Sequence, residues 1–132
     1  MYSRPPVGLD QEELRDREAL YRAMFETNTA IKLLIDPHDA TIVDASPAAA
    51  EFYGWPLAEL RGMPLSAINP ATADELRDRI ERARTMRQCA FHFRHRTSSG
   101  ELRDVDVYTG PIVLRGRELL FSIIHDVTAR VQ

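Results

Sequence analysis

The spacing of apolar residues divides the chain into three stretches. Short β-type runs come first, a period near 3.6 occupies the middle, and strict alternation fills the last third. "IKLLID" and "TIVDA" flank "PHDA", where Pro37 pre-sets a turn dihedral and Asp39 can bond back to the backbone, so the pair predicts a hairpin. In the last third "AFHFRHRT" alternates, "SSGE" is a turn, "LRDVDVYTGPIVL" alternates again, "RGRE" is a second turn and "LLFSIIHDVT" closes a three-strand meander. Upstream, "MYSRPPVG" is turn-rich. Asp10 then reads as an N-cap with Glu13 at the capping-box position, opening a helix to about Asn28 whose apolar side carries Leu14, Leu20, Tyr21, Met24 and Phe25.

The middle stretch is dense in helix punctuation. Ser46 can cap a helix whose first residue, Pro47, has no amide to leave unpaired, and Gly54 ends it. Trp55 is pushed out of helical angles by Pro56, which opens a second short helix terminated by Gly62. "SAIN" adds one more turn. Thr72 and Glu75 form a capping box for a longer helix to about Met86, with Leu76, Ile80 and Ala83 on its buried side. Two strands, a cluster of helices and three further strands predict an α+β domain: one antiparallel sheet with helices packed on one face. Helices as short as the first two contribute little stability alone. Either they form one wall of a pocket, or they are a compact crossover.

Composition narrows the function classes. With 132 residues and 44% hydrophobic content the chain fits a single core. A net charge of −3, from 17 basic and 20 acidic residues interleaved along the chain, argues against nucleic acid as the main partner. No apolar run is long enough to span a membrane and no secretory pattern opens the sequence, so a soluble cytoplasmic protein is expected. The lone Cys89 excludes an intrachain disulfide.

The order and spacing of "IDPHDATIVDASPAAAEFYGW", "LAELRGMPL", the "HRTSSGE" turn and the closing "HDVT" resemble the PAS sensor-domain family with its C-terminal PAC segment. The resemblance covers roughly residues 20 to 130, leaving 1–19 as an N-terminal segment and flanking helix. Two departures stand out: Ser46 replaces the Asn often found before the first short helix, and Ala40 occupies a turn position where the family favours Gly. The resemblance implies a five-stranded antiparallel sheet whose inner face, with the short helices, encloses a small-molecule pocket. Its closing "DVT" also sets the strand faces. Phe91, Phe93 and His95 then point inward on the first strand of the meander, Val105, Val107 and Thr109 on the second, and Leu120, Ser122 and Ile124 on the third, with Phe52 and Ile80 added from helices. Phe52, Ile80, Phe91, Phe93, His95, Val105, Val107 and Ser122 are the implied ligand-binding set. His95 is its polar centre, either contacting ligand or simply a paired core histidine.

Tyr108, Phe121 and Ile123 would face outward as an apolar patch to be covered by the N-terminal helix, through Tyr21 and Phe25, or by a second copy in a homodimer. Known cofactor routes of the family find no counterpart. Ser66 to Asp78 lacks the "NCRFLQ"-like flavin-reactive cysteine motif, and "TADELRDRIERARTM" has no histidine for haem. The cofactor thus stays unassigned. His92 and His95 are three apart on a strand and so project to opposite faces, His38 sits in a turn and His125 faces outward, which leaves no metal-ligand set. Asp104 and Asp106 share a solvated outer face, and no nucleophile, P-loop or zinc-hydrolase pattern is present.

The expectation is therefore a sensory PAS module without catalysis, cut from a longer signalling protein: a histidine kinase, a diguanylate cyclase or a transcription regulator. It binds a small molecule inside and transmits through flanking helices and dimerisation. The alternatives are a PAS scaffold whose pocket is filled by its own side chains, and a small α+β enzyme or carrier.

Overall fold

The computed structural model describes residues 29–86 and 89–131. The expected N-terminal helix, with Tyr21 and Phe25, lies outside these described residues. Strands β1 (Ile31–Asp36), β2 (Thr41–Ala45), β3 (Cys89–Arg96), β4 (Leu102–Leu114) and β5 (Arg117–Asp126) form one antiparallel sheet in the order β2-β1-β5-β4-β3. Between β2 and β3 run α1 (Pro47–Tyr53), α2 (Leu57–Leu60), a 3₁₀ turn (Leu65–Ala67) and α3 (Ala73–Thr85), and α4 (Thr128–Val131) follows β5.

Local chemistry accounts for each boundary. The β1–β2 turn places Ala40 at φ 57°, the left-handed region in which a side chain crowds the backbone. Asp39 steadies this turn by accepting from Thr41 through both its amide and its hydroxyl. Ser46 does three things at once: its Oγ accepts from Ala49 N at 3.3 Å as the N-cap of α1, accepts from Lys32 N at 2.9 Å, and donates to the Ala30 carbonyl at 2.9 Å. The cap thereby fastens α1 to β1. Gly54 closes α1 at φ 86°, and Thr72 and Glu75 form the expected box at the start of α3.

The β4–β5 connection is tighter than the expected four-residue turn. Only Arg115 and Gly116 lie outside the strands, at φ 53° and 73°, while Arg117 and Glu118 already pair with Leu114 and Val113. Two positive φ values match the twist of the flanking strands, so a two-residue loop suffices. Pro111 is tolerated within β4 because β3 pairs only as far as Thr109, which leaves this part of β4 at an edge.

The inner sheet face and the helices share one core in which Leu33, Ile42, Tyr53, Leu60, Ile68 and Val105 are all sealed from solvent. A smaller cluster on the outer face centres on Leu34 and Leu119, with Val43, Ile112, Leu114 and Phe121 packed against it. Across the bottom of the sheet, Arg117 donates to Asp36 at 2.7 Å; this bond and the His38 amide hold the Asp36 carboxyl below its usual range. Among the described residues no helix is long and apolar enough to cross a membrane.

Candidate functional site

Alternation along β3, β4 and β5 delivers the chemistry of the site. On the inner face, Phe91, Phe93 and His95 stand beside Val107 and Thr109, followed by Leu120, Ser122 and Ile124, all bordering an internal cavity of about 50 Å³. Leu33 and Ile35 of β1 complete the sheet side. The opposite wall is α3, through Leu76, Arg79, Ile80 and Ala83, together with Leu65 of the 3₁₀ turn and Asn69 just after it.

Most of the expected set is thus brought together around one space. Val105 points inward as expected but is packed in the core beside the cavity, and Phe52 is half-buried against that core without bordering the cavity. The expectation that the two short helices form the wall is corrected: neither α1 nor α2 contributes a lining residue, and the thirteen-residue α3 does so instead. A helix of almost four turns can present several inward side chains in a row, whereas α1 and α2 spend their buried positions on core packing.

Helix α1 still reaches the site. Its last residue, Tyr53, is fully buried and its hydroxyl lies 2.8 Å from His95 Nδ1. Burial disfavours charge on both partners: the Tyr53 phenol is pushed well above its ordinary value, and the His95 imidazole is lowered to about 4, so both are neutral at pH 7. Among the described residues the Tyr53 hydroxyl is the one side-chain partner of the His95 imidazole, and the residue is only 3% exposed. A second polar pair lies across the cavity, where Ser122 Oγ donates to Thr109 Oγ1 at 2.9 Å. Asn69 adds a third polar group; its Oδ1 accepts from Ala71 N. Arg79 borders the cavity from the solvent side, with its guanidinium 5.8 Å from the Phe91 ring centroid and 2.6 Å from Asp78.

Tyr53, Asn69 and Arg79 were not foreseen. Tyr53 stands directly before the helix-ending Gly54, which places it on α1 but gives no sign of a partner on β3.

The outer face has different chemistry. His92 lies 3.0 Å from Asp106 and 3.3 Å from Asp104, which raises its pKa, with the Asp106 bond as the larger cause. Arg94 also approaches Asp104, at 3.5 Å. His38 lies beside Asp36 in the first turn, and His125 packs on Tyr108 with ring centroids 5.2 Å apart. No three His, Cys, Asp or Glu side chains among the described residues group as metal ligands. Tyr108, Phe121 and Ile123 line a shallow groove on this face with Ala90 and Ile112.

Comparison with known proteins agrees with this geometry. The PAS fold family matches residues 19–127. Among curated proteins, the diguanylate cyclase DgcM of Escherichia coli K12 is 30% identical over 118 residues, an alignment covering 86% of this chain and 28% of that protein. The chain therefore spans a little over a quarter of that relative's length. Among solved structures, the PAS domain of an HTR-like protein from Haloarcula marismortui superposes with a TM-score of 0.74 at 17% identity, covering 88% of this chain and 96% of that one. A domain of a sensory box sensor histidine kinase/response regulator from Geobacter sulfurreducens gives 0.70 at 16% identity, covering 86% and 98%. Sequence and fold agree, and the chain belongs to the PAS family of sensor domains found in signalling proteins.

Proposed function

We propose that this domain is the sensory module of a larger signalling protein, without catalysis of its own, and that it holds a small molecule in the cavity between α3 and the inner sheet face. The observation that carries this reading is the cavity itself, an apolar space walled by Phe91, Phe93, Ile80 and Leu120 with the buried Tyr53–His95 pair at its border. A largely apolar hollow with a few polar groups at its margin is the ordinary form of a small-molecule site.

Transmission follows as a population shift. A ligand touching both α3 and the sheet favours one spacing of the two, and a ligand bound equally well in both arrangements transmits nothing. The exit is held by β4: Val127 N donates to the Asp104 carbonyl at 2.8 Å and Asp104 N donates to Thr128 Oγ1 at 2.9 Å, so a displaced β4 carries the start of α4 with it. The outer face, through Tyr108, Phe121 and Ile123, serves as the seat of a flanking helix or a second copy.

The reading is tested by an absorbance spectrum and a native mass spectrum of gently purified protein. A co-purifying mass that His95→Ala removes is the expected result. A second reading, a scaffold serving only protein association, is favoured by the cavity volume of about 50 Å³, too small for a flavin or haem. Stable dimers with no bound mass and no response to added small molecules would select it.

A further inference from the structure

We infer that the pocket takes an amphipathic organic anion, its apolar body lying between α3 and the inner sheet face and a single carboxylate-type head resting at the mouth against Arg79. The inference rests on the ligand-binding reading above and narrows it to a chemical class. The lining decides the body. Although His95, Thr109, Ser122 and Asn69 border the space, the surface turned toward it is apolar throughout; His95 is bonded to Tyr53, Ser122 to Thr109 and Asn69 to Ala71. A charged group driven into that interior would lose its water without gaining a partner, whereas a hydrocarbon chain loses nothing there.

The mouth decides the head. Every lining residue is buried except Arg79, Phe91 and Phe93, so the space opens between α3 and β3, the edge strand of the sheet. A bound molecule is therefore not confined to the enclosed part: its body lies inside while its head stays in the opening. Arg79 borders the space with its methylene stem and carries its guanidinium out to the rim, 5.8 Å from the Phe91 ring centroid, on a side chain 36% exposed. Carbon thus faces the interior and charge stands at the water boundary, the same division that an amphipathic anion carries along its own length.

The charges around the mouth set the sign. Arg79 is the one lining residue with a full charge at neutral pH, since burial keeps His95 neutral. Its Nη1 donates to Asp78, but that carboxylate is itself exposed and shared with Arg82 at 3.8 Å, which makes it a weak competitor. Glu75, one turn earlier on α3, is committed to the Thr72 amide. On β3 the residues that alternate with Phe91 and Phe93 are His92 and Arg94, which turn to the outer face and engage Asp104 and Asp106 there. A carboxylate at the mouth therefore meets a planar guanidinium with further N–H groups to offer, and a cationic head meets like charge.

The test titrates octanoate, octanol and octylammonium, which share one tail, and butanoate, which keeps the head and shortens the tail, into the 132-residue protein. The methyl resonances of Ile80, Leu120 and Ile124 report on the body and the guanidinium resonance of Arg79 on the head. Octanoate is expected to saturate both, about threefold to tenfold more tightly than octanol, with that margin narrowing as salt is added. Octylammonium should bind more weakly than octanol. Each buried methylene removed should cost about fourfold in affinity, so butanoate falls well behind octanoate. Arg79→Gln should bring octanoate down to the affinity of octanol while octanol stays within about twofold, as for an ordinary surface change. Arg79→Lys should restore part of the margin, and Asp78→Asn, which removes the competing carboxylate, should widen it. Octanol or octylammonium matching octanoate, or a margin that survives Arg79→Gln, overturns the inference and leaves an apolar pocket standing. Arg79→Gln weakening octanol as much as octanoate also overturns it, and so does butanoate as tight as octanoate, which would place the anion on a surface arginine alone. Methyl resonances silent to all four probes remove the pocket reading itself.

Discussion

The Tyr53 hydroxyl sits 2.8 Å from Nδ1 of His95, a side chain 42 residues further along, and both rings are shut away from water. Replacing Tyr53 by Phe leaves a buried imidazole nitrogen without its partner, at a cost of about 1–3 kcal/mol. Urea unfolding of Tyr53→Phe, His95→Leu and the double variant measures it. The double variant is expected to lose less than the sum of the two singles, because it strands neither group.

The same pair makes stability depend on pH. Folding lowers the His95 pKa from an ordinary 6.5 to about 4 through burial, so between those values the unfolded chain binds a proton that the folded one refuses. Stability is therefore full above about pH 6.5 and falls as the pH drops toward 4, by up to about 3 kcal/mol in total. His92 works in the opposite direction: its raised pKa adds stability below about 6.5 that is lost as the pH rises through the folded value. Urea titrations from pH 7.5 to 4.5 in a His92→Gln background should show the fall, and His95→Leu should flatten it. An unchanged slope after His95→Leu would refute the assignment.

Ser46→Ala should be among the costlier single-atom deletions. It removes the N-cap of α1 and the acceptor of the buried Lys32 amide together, for a combined loss of about 2–3 kcal/mol. Thermal or urea unfolding reads the loss directly, and a change under about 0.5 kcal/mol would mean that other groups take over both bonds.

Two positive-φ positions predict opposite signs. Ala40→Gly relieves a left-handed alanine and should stabilise by about 0.5–1 kcal/mol. Gly54→Ala should cost about 1–2 kcal/mol through its own φ of 86°. Its new Cβ would also fall 2.3 Å from Ser98 Oγ, a contact that rotation of the serine can relieve. Ser98→Gly should consequently recover only the contact portion of that loss.

If association runs through the outer face, Phe121→Glu should raise the dimer dissociation constant by tenfold or more, measured by sedimentation, since a charge placed in an apolar interface costs well over about 1.4 kcal/mol. Association that persists unchanged in a folded Phe121→Glu protein would place the interface elsewhere.

Much of the fold was legible because its signals are local. Ser46-Pro47, Gly54, Thr72 with Glu75, and the alternation after Ala90 each act within a few residues, and each marks a real boundary. The inward register of β3 to β5 followed from alternation once one strand face was known. What stayed hidden depends on distance in space. That Tyr53 meets His95, that α3 instead of α1 walls the cavity, and that so little volume remains between Ile80 and Phe91 all depend on how far α3 stands from the sheet, which no short motif encodes. The β4–β5 turn was misjudged in length because Arg115, not a usual residue for left-handed angles, takes φ 53°.

The segment after α2 pairs with the free side of β2: Gly62 N donates to the Ile42 carbonyl, Ile42 N to Met63, and Leu65 N to Ala40. That margin is therefore already saturated by the chain itself and can recruit no foreign strand. Growth of the ribbon by a neighbouring molecule is confined to the opposite rim, formed by β3 and by the stretch of β4 beyond Thr109, where Pro111 lacks an amide to offer. There the outward residues His92, Arg94 and Arg96 carry charge or partial charge, the natural deterrent to edge-to-edge fibril formation, so the domain should stay dispersed even when concentrated.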